Sequence, residues 1–310
     1  MTSDRPRIGW IGVGRMGFAL AARLLDAGHD VAVYNRTRAK ADPLGERGAK
    51  IVDAPADLAD RDVVFIMVSA PSDLADVTTG ELGLLTDPES APGIIVDSST
   101  VSTQASALLR AEAAQRGATL LAAPVSGNPK VVKSGKLTLA VSGPRDAYDR
   151  VEPLLQLLGR GVTYVGDDEV ARLVKICHNV FLGVVIQSLA EITMLAERGG
   201  TTRAAFLEFL NDSVMGSTFS RYKTPALVNL DFAPTFTMAL LSKDFDLGLA
   251  AAHDLEVPMP LAAATAQLVA SAVGAGHRDV DFAALILEQA RRSGVEIAAE
   301  NVAVDDGLGA

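Results

Sequence analysis

The chain has 310 residues, 49% of them apolar and 21% charged, with a formal net charge of −10 and a single cysteine. That length exceeds what one hydrophobic core usually fills, so two domains are expected, and the lone cysteine excludes an intrachain disulfide. The acidic balance argues against nucleic acid or an anionic membrane as partner, since both demand concentrated positive charge, and leaves a small molecule as the expected ligand.

No apolar run reaches the roughly 18 residues of a membrane span, and the start "MTSDRPRIGWIGVG" lacks the basic, apolar and small-residue segments of a secretory signal. A soluble, cytoplasmic protein is therefore expected. From Arg7 to Gly166, strands are predicted at "RIGWIG", "DVAVYN" (30–35), "DVVFIMVS" (62–69), "GIIVDSS" (93–99), "ATLLAAPVSG" (118–127), "KLTLAVSG" (136–143) and "GVTYVG" (161–166). Helical stretches such as Met16 to Ala27 and Thr103 to Arg116 separate the earlier ones. Such alternation predicts an α/β fold: a doubly wound, mainly parallel sheet with right-handed crossovers. The last two strands are expected to run antiparallel, because "NPKVVKSG" is too short and polar for an obvious crossover helix.

After Gly166 the strand signal ends. A helical pattern runs from about Glu169 to Arg198 and stops at "GG" (199–200), and further helices are predicted at 202–211, 220–230, 238–254, 259–274 and 281–293. The domains read as 1–166, then 167–298 as a long interdomain helix with an all-α domain, then 299–310 as a flexible tail.

Gly12, Gly14 and Gly17, with Val13, Arg15 and Met16 between them, form a GxGxxG directly after the first strand and at the start of a helix. A turn of this kind brings backbone N–H groups and a helix N-terminus against a pyrophosphate, the Rossmann arrangement for NAD or NADP. The second strand ends in "YNRTRAK", with Asn35, Arg36 and Thr37 and no carboxylate to repel a 2′-phosphate. A guanidinium there can pair with phosphate, so NADP is favoured over NAD.

In open parallel sheets, ligands sit beyond the carboxyl ends of the strands. The glycine loop, Arg36, Thr37, Val68, Ser69, Thr100 and Ser126 to Asn128 all fall at such ends. Ser126, Gly127 and Asn128 fit either an anion-binding turn or an ordinary tight turn. In "VKICHNVFLG" (174–183), adjacent Cys177 and His178 diverge on a helix, and His29, His253 and His277 are scattered, so no metal site is expected. Cys177 is expected in the core. Lys175, His178 and Asn179 share a helical face that Arg172 continues, on a helix otherwise apolar nearly all round and so expected to be buried. A lysine there either snorkels its head to water or exchanges a proton with a reacting oxygen.

Together "GWIGVGRMG", "GHDVAVYNRT", "VDSST", "APVSGNPKVVKSGKLTLAVSG", "VKICHN" and "LLSKDFDLGLA" resemble, in order and spacing, the β-hydroxyacid dehydrogenases, the family of 3-hydroxyisobutyrate dehydrogenase and glyoxylate or succinic semialdehyde reductases. The resemblance covers the chain to about residue 290. It implies an NAD(P)-dependent oxidoreductase acting on a small carboxylate substrate, and a homodimer or homotetramer. It makes Lys175 the catalytic lysine with Asn179 beside it, and places Ser126, Gly127 and Asn128 at the substrate carboxylate. Val68, Ser69, Asp73 and Thr100 would line the cofactor, and Lys243 would close over it from the helical domain. Two departures stand out: His178 replaces a common asparagine, and Asn128 replaces the second glycine of an SGG turn. Related phosphogluconate dehydrogenases share Lys-x-x-His-Asn but carry a glutamate one turn later, where this chain has Leu182; without that acid, decarboxylation is disfavoured. Imine reductases share the architecture but usually lack the lysine. A cofactor-binding protein without catalysis is the remaining alternative, against which Lys175, Asn179 and Lys243 argue.

Overall fold

In the computed structural model, which describes residues 5–308, the chain forms two compact units, Met1–Lys175 and Ile176–Ala310. The first is built on nine strands: β1 (Ile8–Ile11), β2 (Val31–Tyr34), β3 (Lys50–Ile51), β4 (Val63–Ile66), β5 (Ile94–Asp97), β6 (Thr119–Ala122), β7 (Val125–Ser126), β8 (Thr138–Ser142) and β9 (Gly161–Gly166). They form one sheet in the order β3-β2-β1-β4-β5-β6-β8-β7, with β9 paired to β8. The strands from β3 across to β6 are parallel, β8 runs antiparallel to β6 and β7, and β9 runs parallel to β8. The doubly wound α/β expectation holds, and β8 and β9 both run opposite to the main parallel set, but between themselves these last two strands are parallel rather than antiparallel.

The helices are α1 (Arg15–Asp26), α2 (Asp42–Gly45), α3 (Pro71–Thr78), α4 (Thr103–Gln115), α5 (Pro129–Lys133) and α6 (Arg145–Leu158). Successive strand residues serve opposite faces. Ile8, Trp10, Val63 and Phe65 join Leu20 and Leu24 of α1 and Val151 and Leu155 of α6 in one layer. Ile11, Val64, Ile66 and Ile95 join Leu109 and Ala113 of α4 in the other. Burial on both faces explains why β1 and β4 read as unbroken apolar runs, while β5 ends in the buried Asp97. The single strand expected over 118–127 is split into β6 and β7 around Pro124, and "NPKVVKSG" contains the short α5. Helix α6 was not anticipated: its buried residues Ala147, Tyr148, Val151, Leu154, Leu155 and Leu158 recur at helical spacing, but Pro153 interrupts the pattern. It supplies the crossover that the parallel pair β8 and β9 requires.

Helix α7 (Val170–Arg198) begins in the first unit and continues into the second, where α8 (Arg203–Asp212), α9 (Thr218–Asn229), α10 (Met238–Asp254), α11 (Pro260–Gly274) and α12 (Leu285–Arg292) follow. Ile176, Val180, Ile186 and Met194 of α7 pack with Leu241 and Phe245 of α10 and Val269 of α11. The approach of α7 to α10 is close: a Cβ on Gly248 would lie 2.4 Å from Val180. Only that stripe of α7 is buried. Phe181 is 69% and Leu195 74% exposed, so the helix is not buried all round, and Cys177 is exposed rather than in the core. Length and composition alone would let α7 cross a membrane, which a count of consecutive apolar residues overlooks. The segment expected to be a loose tail is tied down: Glu300 accepts from the backbone N–H groups of Arg203 and Ala204, Asn229 bonds the backbone of Val302, and Leu308 is buried.

The polar centre of the second unit is Asp281. Its carboxylate meets the Lys223 ammonium at 2.6 Å, with both side chains buried, and accepts from the backbone of Thr235 and Ala283 and the Thr235 hydroxyl. Burial acts to raise its pKa, but the Lys223 charge and these hydrogen bonds outweigh it and hold the carboxyl below its ordinary 3.8. A depressed carboxylate contributes stability that is complete above the unfolded value and lost as pH falls through the folded one. Asp281→Asn, which strands the Lys223 charge, is expected to destabilise by about 3–5 kcal/mol and to flatten the acid limb of the stability–pH curve. Urea denaturation across pH checks both; a change below about 1 kcal/mol contradicts the assignment.

Candidate cofactor and active site

Residues 12–17 leave β1 and enter α1 in a turn whose glycines serve different ends. Gly12 sits at φ +93°, and a Cβ there would lie 2.2 Å from the Met67 carbonyl oxygen; a Cβ on Gly17 would lie 2.0 Å from that of Gly12. Both are demanded by packing. Gly14, the N-cap of α1, has nothing within 4 Å of its would-be Cβ and no side chain capping the helix. The helix N-terminus therefore faces an open cradle, which fits a pyrophosphate oxygen in both shape and charge.

Two side chains brace this loop. Asn35 accepts from the Val13 N–H at 2.9 Å and donates to the Thr37 carbonyl at 2.8 Å, joining the ends of β1 and β2. Trp10, buried and stacked on Phe65, donates its indole N–H to the Gly12 carbonyl at 3.0 Å. Its place in the loop was not legible beforehand, because an aromatic residue in a buried strand reads simply as core.

A cleft beside the loop gathers Gly12, Gly14, Asn35, Arg36, Thr37, Val68, Ser69 and Asp73, all expected at the cofactor, and adds Lys40 and Asp76. Thr100, Ser126, Gly127 and Asn128 do not line it. Arg36 is 81% exposed and pairs with Asp73 at 2.9 Å. The end of β2 does lack a carboxylate, and α3 brings two to the cleft, the expected Asp73 and in addition Asp76. Arg38 pairs with Asp53 instead.

Gly127 is exposed, while Asn128 is buried and accepts from the Val131 N–H at 3.1 Å as the N-cap of α5, followed by Pro129 at the first helical position. Asn128 thus acts as a helix cap, a signature "NPKV" carries openly. Its side-chain oxygen is engaged there, which weakens its placement at a substrate carboxylate.

The start of α7 is bolted to the end of β5. Arg172, 1% exposed, donates to Asp97 Oδ2 and to the Ser99 carbonyl, both at 2.5 Å, and to the Ser106 hydroxyl at 3.1 Å. Ser99 in turn accepts from the Val68 N–H at 3.0 Å, linking this anchor to the cleft. Lys175, half-buried, lies one turn beyond Arg172 on the same helix. In the second unit, Asn179 is buried and donates to Asp244 Oδ2 at 2.5 Å; its Oδ1 lies 2.9 Å from His178 Nδ1, and Lys243 Nζ lies 4.0 Å from Asp244 Oδ1. Asp244 was missed because "KDFDLGLA" offers two aspartates with nothing local to mark which is inward.

A Rossmann sheet with a glycine cradle and a lysine carried on the following long helix defines a nicotinamide-dependent oxidoreductase. The chain belongs to the β-hydroxyacid dehydrogenase family. Residues 7–166 match the NAD binding domain of 6-phosphogluconate dehydrogenase, and residues 170–288 match the NAD-binding domain of NADP-dependent 3-hydroxyisobutyrate dehydrogenase. It is 32% identical to the chloroplastic glyoxylate/succinic semialdehyde reductase 2 of Arabidopsis thaliana over 90% of this chain and 78% of that one, and 30% identical to 3-hydroxyisobutyrate dehydrogenase of Pseudomonas aeruginosa over 90% and 96%. The crystal structure of 3-hydroxyisobutyrate dehydrogenase from Salmonella typhimurium is similar with a TM-score of 0.82 and 26% identity, over 92% of this chain and all of that one. The protein is thus an NAD(P)-dependent enzyme acting on hydroxyl or carbonyl groups.

The glycine geometry makes a test of the cradle. Gly14→Val is expected to leave thermal stability nearly unchanged and to weaken NADPH binding by tenfold or more, whereas Gly17→Ala is expected to unfold the loop and lower the melting temperature. Fluorescence titration and calorimetry separate the two; equal effects on binding would remove Gly14 from the cofactor site.

Proposed function

We propose that the protein is an NADP-preferring dehydrogenase that interconverts a small 3-hydroxy acid and the corresponding aldehyde acid, with Lys175 as the proton-exchanging group. The observation that carries this reading is the Arg172 anchor: it fixes the start of α7 against the sheet edge holding the glycine cradle, one turn before a half-buried lysine.

Bound NADPH supplies a hydride to the carbonyl carbon. As the π-pair shifts to oxygen, the Lys175 ammonium gives that oxygen a proton and becomes the neutral amine. In the oxidising direction the amine removes the hydroxyl proton, and bound NADP⁺ would accept the hydride from the same carbon. Ser126 with Gly127 meets the substrate's carboxylate. Proton transfer of this kind contributes about 10² to 10⁴-fold. Decarboxylation of the phosphogluconate type is disfavoured because position 182, one turn beyond His178, is a leucine packed against the helical core. An imine substrate ranks below a carbonyl because Lys175 is present.

Lys175→Ala is expected to lower kcat by at least 10²-fold while NADPH binding and folding persist, checked by absorbance at 340 nm across aldehyde acids, hydroxy acids and cyclic imines. Near-normal turnover would remove Lys175 from the chemistry. Arg36→Ala is expected to weaken NADPH about tenfold and NADH less than about twofold, since only NADPH carries the phosphate a guanidinium would pair with. Equal losses would contradict the NADP preference.

A further inference from the structure

Trp10 and Asn35 grip a single peptide unit from opposite sides. The unit joining Gly12 to Val13 is trans, so its carbonyl and its N–H point in opposite directions. The carbonyl accepts from the Trp10 indole N–H at 3.0 Å, and the N–H donates to the Asn35 side-chain oxygen at 2.9 Å. One group earlier, the Gly12 N–H donates to the Tyr34 carbonyl at 3.0 Å. The indole is held in turn, fully buried and stacked on Phe65 with ring centroids 5.3 Å apart. It reaches the carbonyl because position 17 has no side chain: a Cβ on Gly17 would lie 3.1 Å from Trp10 Nε1 and 2.0 Å from the Gly12 oxygen. The chain then passes through Gly14 into the uncapped N-terminus of α1.

We propose that Trp10 is a positioning residue for the cofactor pyrophosphate, its indole N–H holding the Gly12–Val13 peptide in the orientation that the dinucleotide requires. A peptide beside a glycine rotates at little cost, and Gly12, at φ +93°, is the glycine concerned. Rotated by half a turn, the unit would carry its carbonyl oxygen from the Trp10 side to the Asn35 side. Gly12, Gly14 and Asn35 all line the cleft, so the negative end of a backbone dipole would then stand where a polyanion has to bind. The indole keeps that oxygen turned toward the core before any cofactor arrives. A loop that adopts its competent form only part of the time binds more weakly in proportion to that fraction, and Trp10 removes this loss. The pyrophosphate is common to NADH and NADPH, so the contribution of Trp10 is the same for both, unlike that of Arg36.

The chain has one tryptophan, so the donor can be removed from the full-length protein without touching any other residue. Trp10→Phe keeps an aromatic ring against Phe65 and deletes the N–H. Biosynthetic replacement of the tryptophan by 3-benzothienylalanine, which carries sulfur in place of the N–H, keeps the shape of the indole as well and serves if the phenylalanine variant does not fold. Either change is expected to weaken NADPH and NADH by the same factor, about fivefold for one neutral hydrogen bond. Titration followed by the fluorescence of the reduced nicotinamide, well below the melting temperature, measures both. Without cofactor, amide hydrogen exchange in the segment that contains Val13 is expected to accelerate by about the same factor or more, because the peptide is no longer held at its oxygen. Affinities within about twofold of wild type, or a loss confined to NADPH, overturn the proposal. So does a lowered melting temperature with both affinities and Val13 exchange unchanged, which is what a purely structural tryptophan would give. None of these readings involves turnover, so the Lys175 assignment stands or falls separately.

Discussion

The Arg172 guanidinium and the Asp97 carboxylate meet in the core of the first unit, 1% and 0% exposed. Taking two charges out of water costs several kcal/mol each, and their attraction offsets this only when the remaining donors and acceptors are also met. Here the Ser99 carbonyl and the Ser106 hydroxyl take further guanidinium N–H groups, and Asp97 Oδ1 accepts from the Ser99 N–H. A set of bonds this complete supplies position more than net stability. Directed contacts from one side chain prevent α7 from sliding or rotating by a residue, and removing either charge would leave the other buried and unpaired. The Arg110–Glu169 pair at 2.7 Å holds the residues just before the helix in the same sense. Lys175, one turn on, inherits its placement in the first unit from these two anchors.

The cofactor edge meets a different constraint. The chain is acidic, yet it binds a polyanion, so attraction has to be local. Part of it comes from the backbone: the uncapped start of α1 offers N–H groups and a partial positive charge that no side chain consumes. Arg36 and Lys40 add formal charge at the other end of the cleft, where Asp73 holds the guanidinium over the opening. In water such an exposed pair is worth little. Its effect is to orient Arg36 at the opening. Across the cleft from β2, α3 thus tempers a charge that the sequence after β2 presents as uniformly cationic.

Legibility followed the range over which each interaction acts. Strands buried on both faces, the glycine turn and the helix breaks depend on neighbours within a few residues, and they were readable from "RIGWIGVG", "GIIVDSS" and "VPMP". Asn128 was readable too, but as a helix cap, and resemblance drew attention to a substrate instead. Helix α6 was obscured by Pro153, although its apolar spacing is regular. Arg172 and Asp244 act on partners set by tertiary structure, 75 and 65 residues away. No local pattern could say which arginine is swallowed or which aspartate turns inward. Cys177 shows the same limit from the other side, because an apolar surrounding in sequence says nothing about which stripe of a long helix finds a partner.

That stripe explains why polar residues on α7 differ so much in their surroundings. A straight helix presents residues three and four apart to one neighbour, so burial alternates with a fixed period along its length. Ile176, Asn179, Val180 and Gly183 fall on the packed side, and Asn179 is tolerated there because its amide bonds the Asp244 carboxylate. His178 falls just outside the stripe, bonded inward through Nδ1 and exposed elsewhere. A one-residue change in the register of the Asn179–Asp244 bond would exchange the buried and exposed members of this group. The close glycine approach of α7 to α10 in the second unit and the Arg172 anchor in the first both oppose that slip, so the register of the Lys-x-x-His-Asn segment depends on packing at either end of it.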